Sequence, residues 1–136
     1  MKVVVIDGQG AGLGKAIIKK LRKEIEDLHI IALGTNKLAM DNMINSGADI
    51  GIFGEKNICA YLLTEKIHCL IGPIGIICSG GIGGEITANI STIIFQKDCT
   101  KYLLPLQKHG FYIPGTRNLQ IKNIIKEIIE DIKISN

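Results

Sequence analysis

Lys2-Val-Val-Val-Ile6 runs straight into Asp7-Gly8-Gln9-Gly10-Ala11-Gly12-Leu13-Gly14-Lys15, and the reading of this stretch decides the fold. The first five residues are a short, unbroken apolar run, the pattern of a central strand covered on both faces. From Leu13 to about Glu26, apolar residues recur at 13, 17, 18, 21 and 25, which is helical spacing. A strand, a glycine-rich turn and a helix therefore follow one another directly. Four glycines on alternate positions let a backbone approach an anion closely. The helix N-terminus behind them offers free N–H groups and the positive end of its dipole, and pyrophosphate is the usual guest. The match to GxGxxG is partial, because Gly8 and Gly10 fit but the third position is Leu13. The match to GxxxGxG is complete, through Gly8, Gly12 and Gly14. A Walker A loop is excluded by the wrong span before Gly14-Lys15 and by Ala16, where Ser or Thr is required. The alternative reading is a tight strand-to-helix turn that holds no ligand.

The rest of the chain repeats the alternation. Apolar runs at 29–33, 50–53, 67–71 and 101–105 predict four more strands. Helices are expected from Thr35 or Asn36 to Ser46-Gly47, over 55–63 and 85–96, and from Gly115-Thr116 onward. The last has apolar positions at 121, 124, 125, 128, 129 and 132, with charges opposite. Phe111-Tyr-Ile113, ended by Pro114, reads as a short extra edge strand. Alternating strands and helices imply right-handed crossovers. The expectation is one three-layer Rossmann-like α/β domain over residues 1–136, with a mostly parallel five-stranded sheet in the order 3-2-1-4-5. That order sets the carboxyl ends of strands one and four side by side at the switch point, where open sheets bind ligands.

Three further segments face that point. At the end of strand two, an acidic residue would read the ribose hydroxyls of NAD. The sequence offers Gly34, Thr35, Asn36 and Lys37 instead, a set suited to a 2′-phosphate and hence to NADP over NAD. Equally, Thr35 or Asn36 simply caps the next helix. After strand four, Gly72, Pro73, Ile74 and Gly75 form the opposite wall, in a glycine-rich stretch that runs on through Cys78 to Glu85-Ile86-Thr87. Glu85 is either a first-turn carboxylate favourable to a helix N-terminus or a group with a ligand or catalytic role. His109, after strand five, is either an exposed loop residue or a second such group.

Composition bounds the function. The chain has 136 residues, a net charge of +3, 46% hydrophobic and only 4% aromatic residues. No basic stripe with interleaved aromatics appears, so a nucleic-acid partner is not expected. Lys15, Lys19, Lys20 and Lys23 read as a solvated helix face. Cys59, Cys69, Cys78 and Cys99 lack CxxC spacing, so no metal site is expected. The uncharged stretch 69–84 contains Pro73 and many glycines, which favours strand plus loop over a membrane helix. Met1-Lys2 leads directly into the first strand, with no signal peptide, and a reducing cytoplasm is the expected setting.

Two resemblances add to this reading. The stretch from Gly8 to Gly14 resembles the cofactor loop of short-chain dehydrogenase/reductases. Their YxxxK motif is missing: four residues after Tyr61, Tyr102 and Tyr112 stand Glu65, Leu106 and Thr116. The strings VVVIDGQGAGLGK, IIALGTN, GAD, GPIGII, GEIT and LLP resemble a small bacterial family of unknown function with a Rossmann-like fold. That resemblance implies the fold and the cofactor-type loops and supplies no reaction.

The sequence thus favours a nucleotide or dinucleotide module, with NAD(P) the leading ligand. Asp7, Gly8, Gln9, Gly10, Ala11, Gly12, Leu13 and Gly14 would cradle phosphate, and Gly34, Thr35 and Asn36 would meet the ribose. The alternatives are a small oxidoreductase completed by a homodimer, with Glu85 and His109 as acid–base groups, and a non-catalytic interaction domain.

Overall fold

The computed structural model describes residues 1–106 and 110–135. Five strands form one parallel sheet: β1 (Lys2–Asp7), β2 (His29–Gly34), β3 (Ile50–Phe53), β4 (Cys69–Pro73) and β5 (Thr100–Leu104). Their order is β3-β2-β1-β4-β5, as the alternation of elements predicts. β1 is central, pairing Val3 with Ile30 on one side and with Cys69 on the other. The helices are α1 (Gly12–Glu24), α2 (Lys37–Asn45), α3 (Glu55–Thr64), α4 (Ala88–Gln96) and α5 (Ile121–Ser135), and a 3₁₀ turn spans Ile74–Ile77. The fold is a three-layer Rossmann-like α/β domain.

Strand residues alternate between two cores because successive side chains point to opposite faces. Val3, Val5, Ile30, Ala32 and Ile71 meet side chains of α1, α2 and α5. Val4, Ile6, Ile31, Leu33 and Leu70 meet those of α3 and α4. Ile17, Ile18 and Leu21 of α1 are fully buried, and each such burial is worth roughly 1.5–3 kcal/mol. Among the described residues no helix is long and apolar enough to cross a membrane.

Three boundaries differ from the sequence expectation. The helix expected from Glu85 begins at Ala88, capped by the Thr87 hydroxyl, which accepts from the Ile90 amide at 3.2 Å. Ile82, Gly83 and Gly84 have φ of 52°, 59° and 88°, and this left-handed run holds the chain out of the helix until Thr87. The last helix begins at Ile121, because Pro114 and Gly115 (φ 90°) form a turn. The extra edge strand at 111–113 does not form. These residues are irregular, with Phe111 and Tyr112 half exposed, beside Gly110 at φ 80° and ahead of the donor-less Pro114.

Candidate functional site

The β1–α1 loop is built around Asp7. Its Oδ1 accepts from the Gly8 amide and its Oδ2 from the Gly14 amide, both at 2.8 Å. The carboxylate therefore does the capping work for α1 that Ala11, at the N-cap position, lacks a side-chain acceptor to do. Left-handed geometry falls on the non-glycines, Gln9 (φ 51°) and Ala11 (φ 56°). Residues other than glycine held in that region carry strain of order 1–3 kcal/mol.

The four alternating glycines divide into two pairs. A Cβ on Gly8 would lie 2.4 Å from Thr35 Oγ1, and one on Gly14 would lie 2.6 Å from Met43 Sδ. Those two permit close packing within the chain. Among the described residues a Cβ on Gly10 or Gly12 would meet nothing within 4 Å, and neither residue is left-handed. Neither packing nor backbone geometry accounts for glycine at these two positions. The amides of Gly10, Gly12 and Leu13 also find no acceptor among the described residues, as expected for the open end of a helix.

The loop that carries these amides lines a cavity of about 240 Å³. Residues 7–13 line one side, and Pro73, Ile74 and Gly75 line the other together with Cys78 and residues 81–83. Leu106 and Phe111 close the end. Asp7 is the charged group among the described lining residues; Gln9 adds a polar amide side chain, and most of the others are glycines or apolar residues. Sequence reading set Ile82 in the stretch that faces the first loop, and it passed over Leu106 and Phe111 as wall residues. Only their position after the carboxyl end of β5 signals this role.

The other expected site residues lie elsewhere. Gly34 and Gly72 serve close packing: a Cβ would fall 2.5 Å from the Met40 amide nitrogen and 2.7 Å from the Ile6 carbonyl oxygen, respectively. Asn36 caps α2 through the Ala39 amide at 2.8 Å, as one of the two readings held. Lys37 forms an ion pair with Asp41 at 2.7 Å. Neither Thr35 nor Asn36 lines the cavity. His109 lies outside the described residues.

Glu85 is not the first-turn carboxylate of a helix. Its Oε1 accepts from the Gln9 amide at 3.0 Å, the Thr35 hydroxyl at 2.5 Å and the Asn36 side-chain amide at 2.8 Å. One oxygen thus ties the β4–α4 loop to the loops after β1 and β2. Burial pushes the Glu85 carboxyl up, but these hydrogen bonds together outweigh it and hold the group below the ordinary carboxylate range.

The class defined by this fold is a Rossmann-like α/β domain with a glycine-rich loop and a cavity at its switch point. The chain belongs to the family described as "Domain of unknown function (DUF3842)", which matches residues 2–135. No curated protein sequence matches it. Among solved structures the chain is similar to a dodecameric FMN-dependent UbiX-like decarboxylase from Escherichia coli O157:H7. The TM-score is 0.56 at 13% identity, over 99% of this chain and 93% of that one. At that identity the likeness speaks for the fold alone.

Proposed function

We propose that this chain is a binding module for a mononucleotide-type ligand, with flavin mononucleotide the leading candidate in place of NAD(P). The observation that carries the reading is the pair Gly10 and Gly12, whose missing side chains leave open space at a helix N-terminus and whose amides find no acceptor among the described residues. That combination suits a phosphate at van der Waals distance from the backbone. Ile74, Ile82, Leu106 and Phe111 supply an apolar wall of the kind that receives a planar ring. The protein of similar fold is FMN-dependent, which favours a flavin as the first ligand to try.

A dinucleotide has less support. Its second half extends over the end of β2, where Thr35 and Asn36 are already engaged by Glu85. Binding, rather than a reaction, is the function inferred. Self-association belongs to the same reading, since the protein of similar fold is a dodecamer; light scattering reads it directly. Amide NMR during an FMN titration tests the assignment of the loop. The resonances of Gly10, Gly12 and Leu13 should shift together and saturate. Saturable shifts confined to another face of the protein would refute it.

A further inference from the structure

The three donors that converge on Glu85 come from separate segments: the Gln9 amide from the β1–α1 loop, and the Thr35 hydroxyl and Asn36 amide from beyond β2. Three donors aimed at one oxygen make an anion position, and the chain fills it with its own carboxylate. The site is built to admit that carboxylate. A Cβ on Gly8 would lie 2.9 Å from Glu85 Oε1 and 2.4 Å from the Thr35 hydroxyl, so a larger residue would push both away. Asn36 is fixed in place by two further bonds, from its Nδ2 to the Gln9 carbonyl at 3.1 Å and from the Ala39 amide to its Oδ1 at 2.8 Å. Asp7 and Gly34 are neighbours in the sheet, so this position adjoins the glycine loop on its β2 side.

We propose that Glu85 is a specificity-determining residue: its carboxylate occupies the anion position beyond β2 and excludes ligands that carry a second phosphate there. This rests on the phosphate-binding reading of the glycine loop. Exclusion works in two ways. The donors that would hold a second phosphate are consumed, and a phosphate arriving there meets a like charge, a repulsive element of the kind that sets specificity. Mononucleotides end short of the position and escape both penalties. Ligands that carry an additional phosphate on the ribose lying beyond β2 do not.

The test uses the full chain as wild type, Glu85→Ala and Glu85→Gln. Inorganic phosphate is titrated while NMR follows the Gln9 backbone amide and the Asn36 side-chain amide. Glu85→Ala frees the donors and removes the charge, so these signals should saturate at a phosphate concentration at least tenfold lower than in wild type. Glu85→Gln, which removes the charge and keeps the size, should move in the same direction by less and serves if the alanine variant fails to fold. Equal responses in wild type and both variants would overturn the proposal. A second arm compares NADP with NAD, which differ by the ribose phosphate: affinity for NADP relative to NAD should rise at least tenfold in Glu85→Ala. Wild type that binds no FMN would refute the mononucleotide reading, and the phosphate arm would then decide the role of Glu85 by itself.

Discussion

Replacing Gly10 or Gly12 by alanine separates a ligand-binding loop from a merely structural one. At either position the new methyl meets no atom of the described residues within 4 Å, and the backbone is not left-handed. Alanine should then stabilise the fold by about 0.4–1 kcal/mol, through the lower entropy of the unfolded chain. With roughly 2.1 cal/mol/K of unfolding entropy per residue, this chain should melt about 1–4 °C higher. The same methyl enters open space on the loop that lines the cavity, beside the amides of Gly10, Gly12 and Leu13, which find no acceptor among the described residues. Displacing a phosphate from one charge-assisted hydrogen bond removes about 1.5–3 kcal/mol, a loss of roughly ten- to a hundredfold in affinity. Differential scanning calorimetry gives the first quantity and fluorescence titration of FMN the second. A raised Tm with weakened binding is the expected pair of results. A lowered Tm would show that these glycines are structural, and unchanged FMN affinity would remove the loop from the ligand site.

Other outcomes follow from neighbouring groups. Asp7→Asn leaves the Gly8 or Gly14 amide facing a donor instead of an acceptor, and should cost about 1–3 kcal/mol in a urea melt; an unchanged midpoint would refute the capping role. Glu85 is held below the ordinary carboxylate range, so its contribution to stability is complete above that range and is lost as pH falls through the depressed folded value. Thermal melts from pH 7 to pH 3 should therefore fall less steeply for Glu85→Gln than for wild type, and parallel curves would contradict the assignment. Burial pushes the Cys69 thiol up to about 12 and also raises Cys59 and Cys99, while half-buried Cys78 lines the cavity. A maleimide at pH 8 should label Cys78 first, since the thiolate is the nucleophile. Bound FMN should slow that labelling; equal rates with and without bound ligand would place the ligand elsewhere.

The architecture was legible because its signals are local. Continuous apolar runs marked the strands, Val3 to Ile6 most plainly, and strict alternation with helices fixed the order of the sheet. The glycine loop was legible as a loop, but not the different duties of its glycines. Whether Gly8 faces Thr35 while Gly10 faces open space depends on contacts that one segment of sequence does not contain. Glu85 was harder still. It reaches Gln9 across 76 positions of sequence, and its helix-start pattern reads normally until Gly83 and Gly84 turn left-handed. The far end of the cleft was missed for a related reason. Leu106 and Phe111 meet the glycine loop only because β5 lies beside β4.

The central claim is that the amides of Gly10, Gly12 and Leu13 hold the phosphate of a mononucleotide, and calorimetric titration of FMN against riboflavin tests it most directly. The two ligands share the flavin ring and differ by the phosphate. One retained charge-assisted hydrogen bond is worth about 1.5–3 kcal/mol, so FMN should bind at least tenfold more tightly than riboflavin. Equal affinities, or no binding of FMN by the folded protein, would contradict the account.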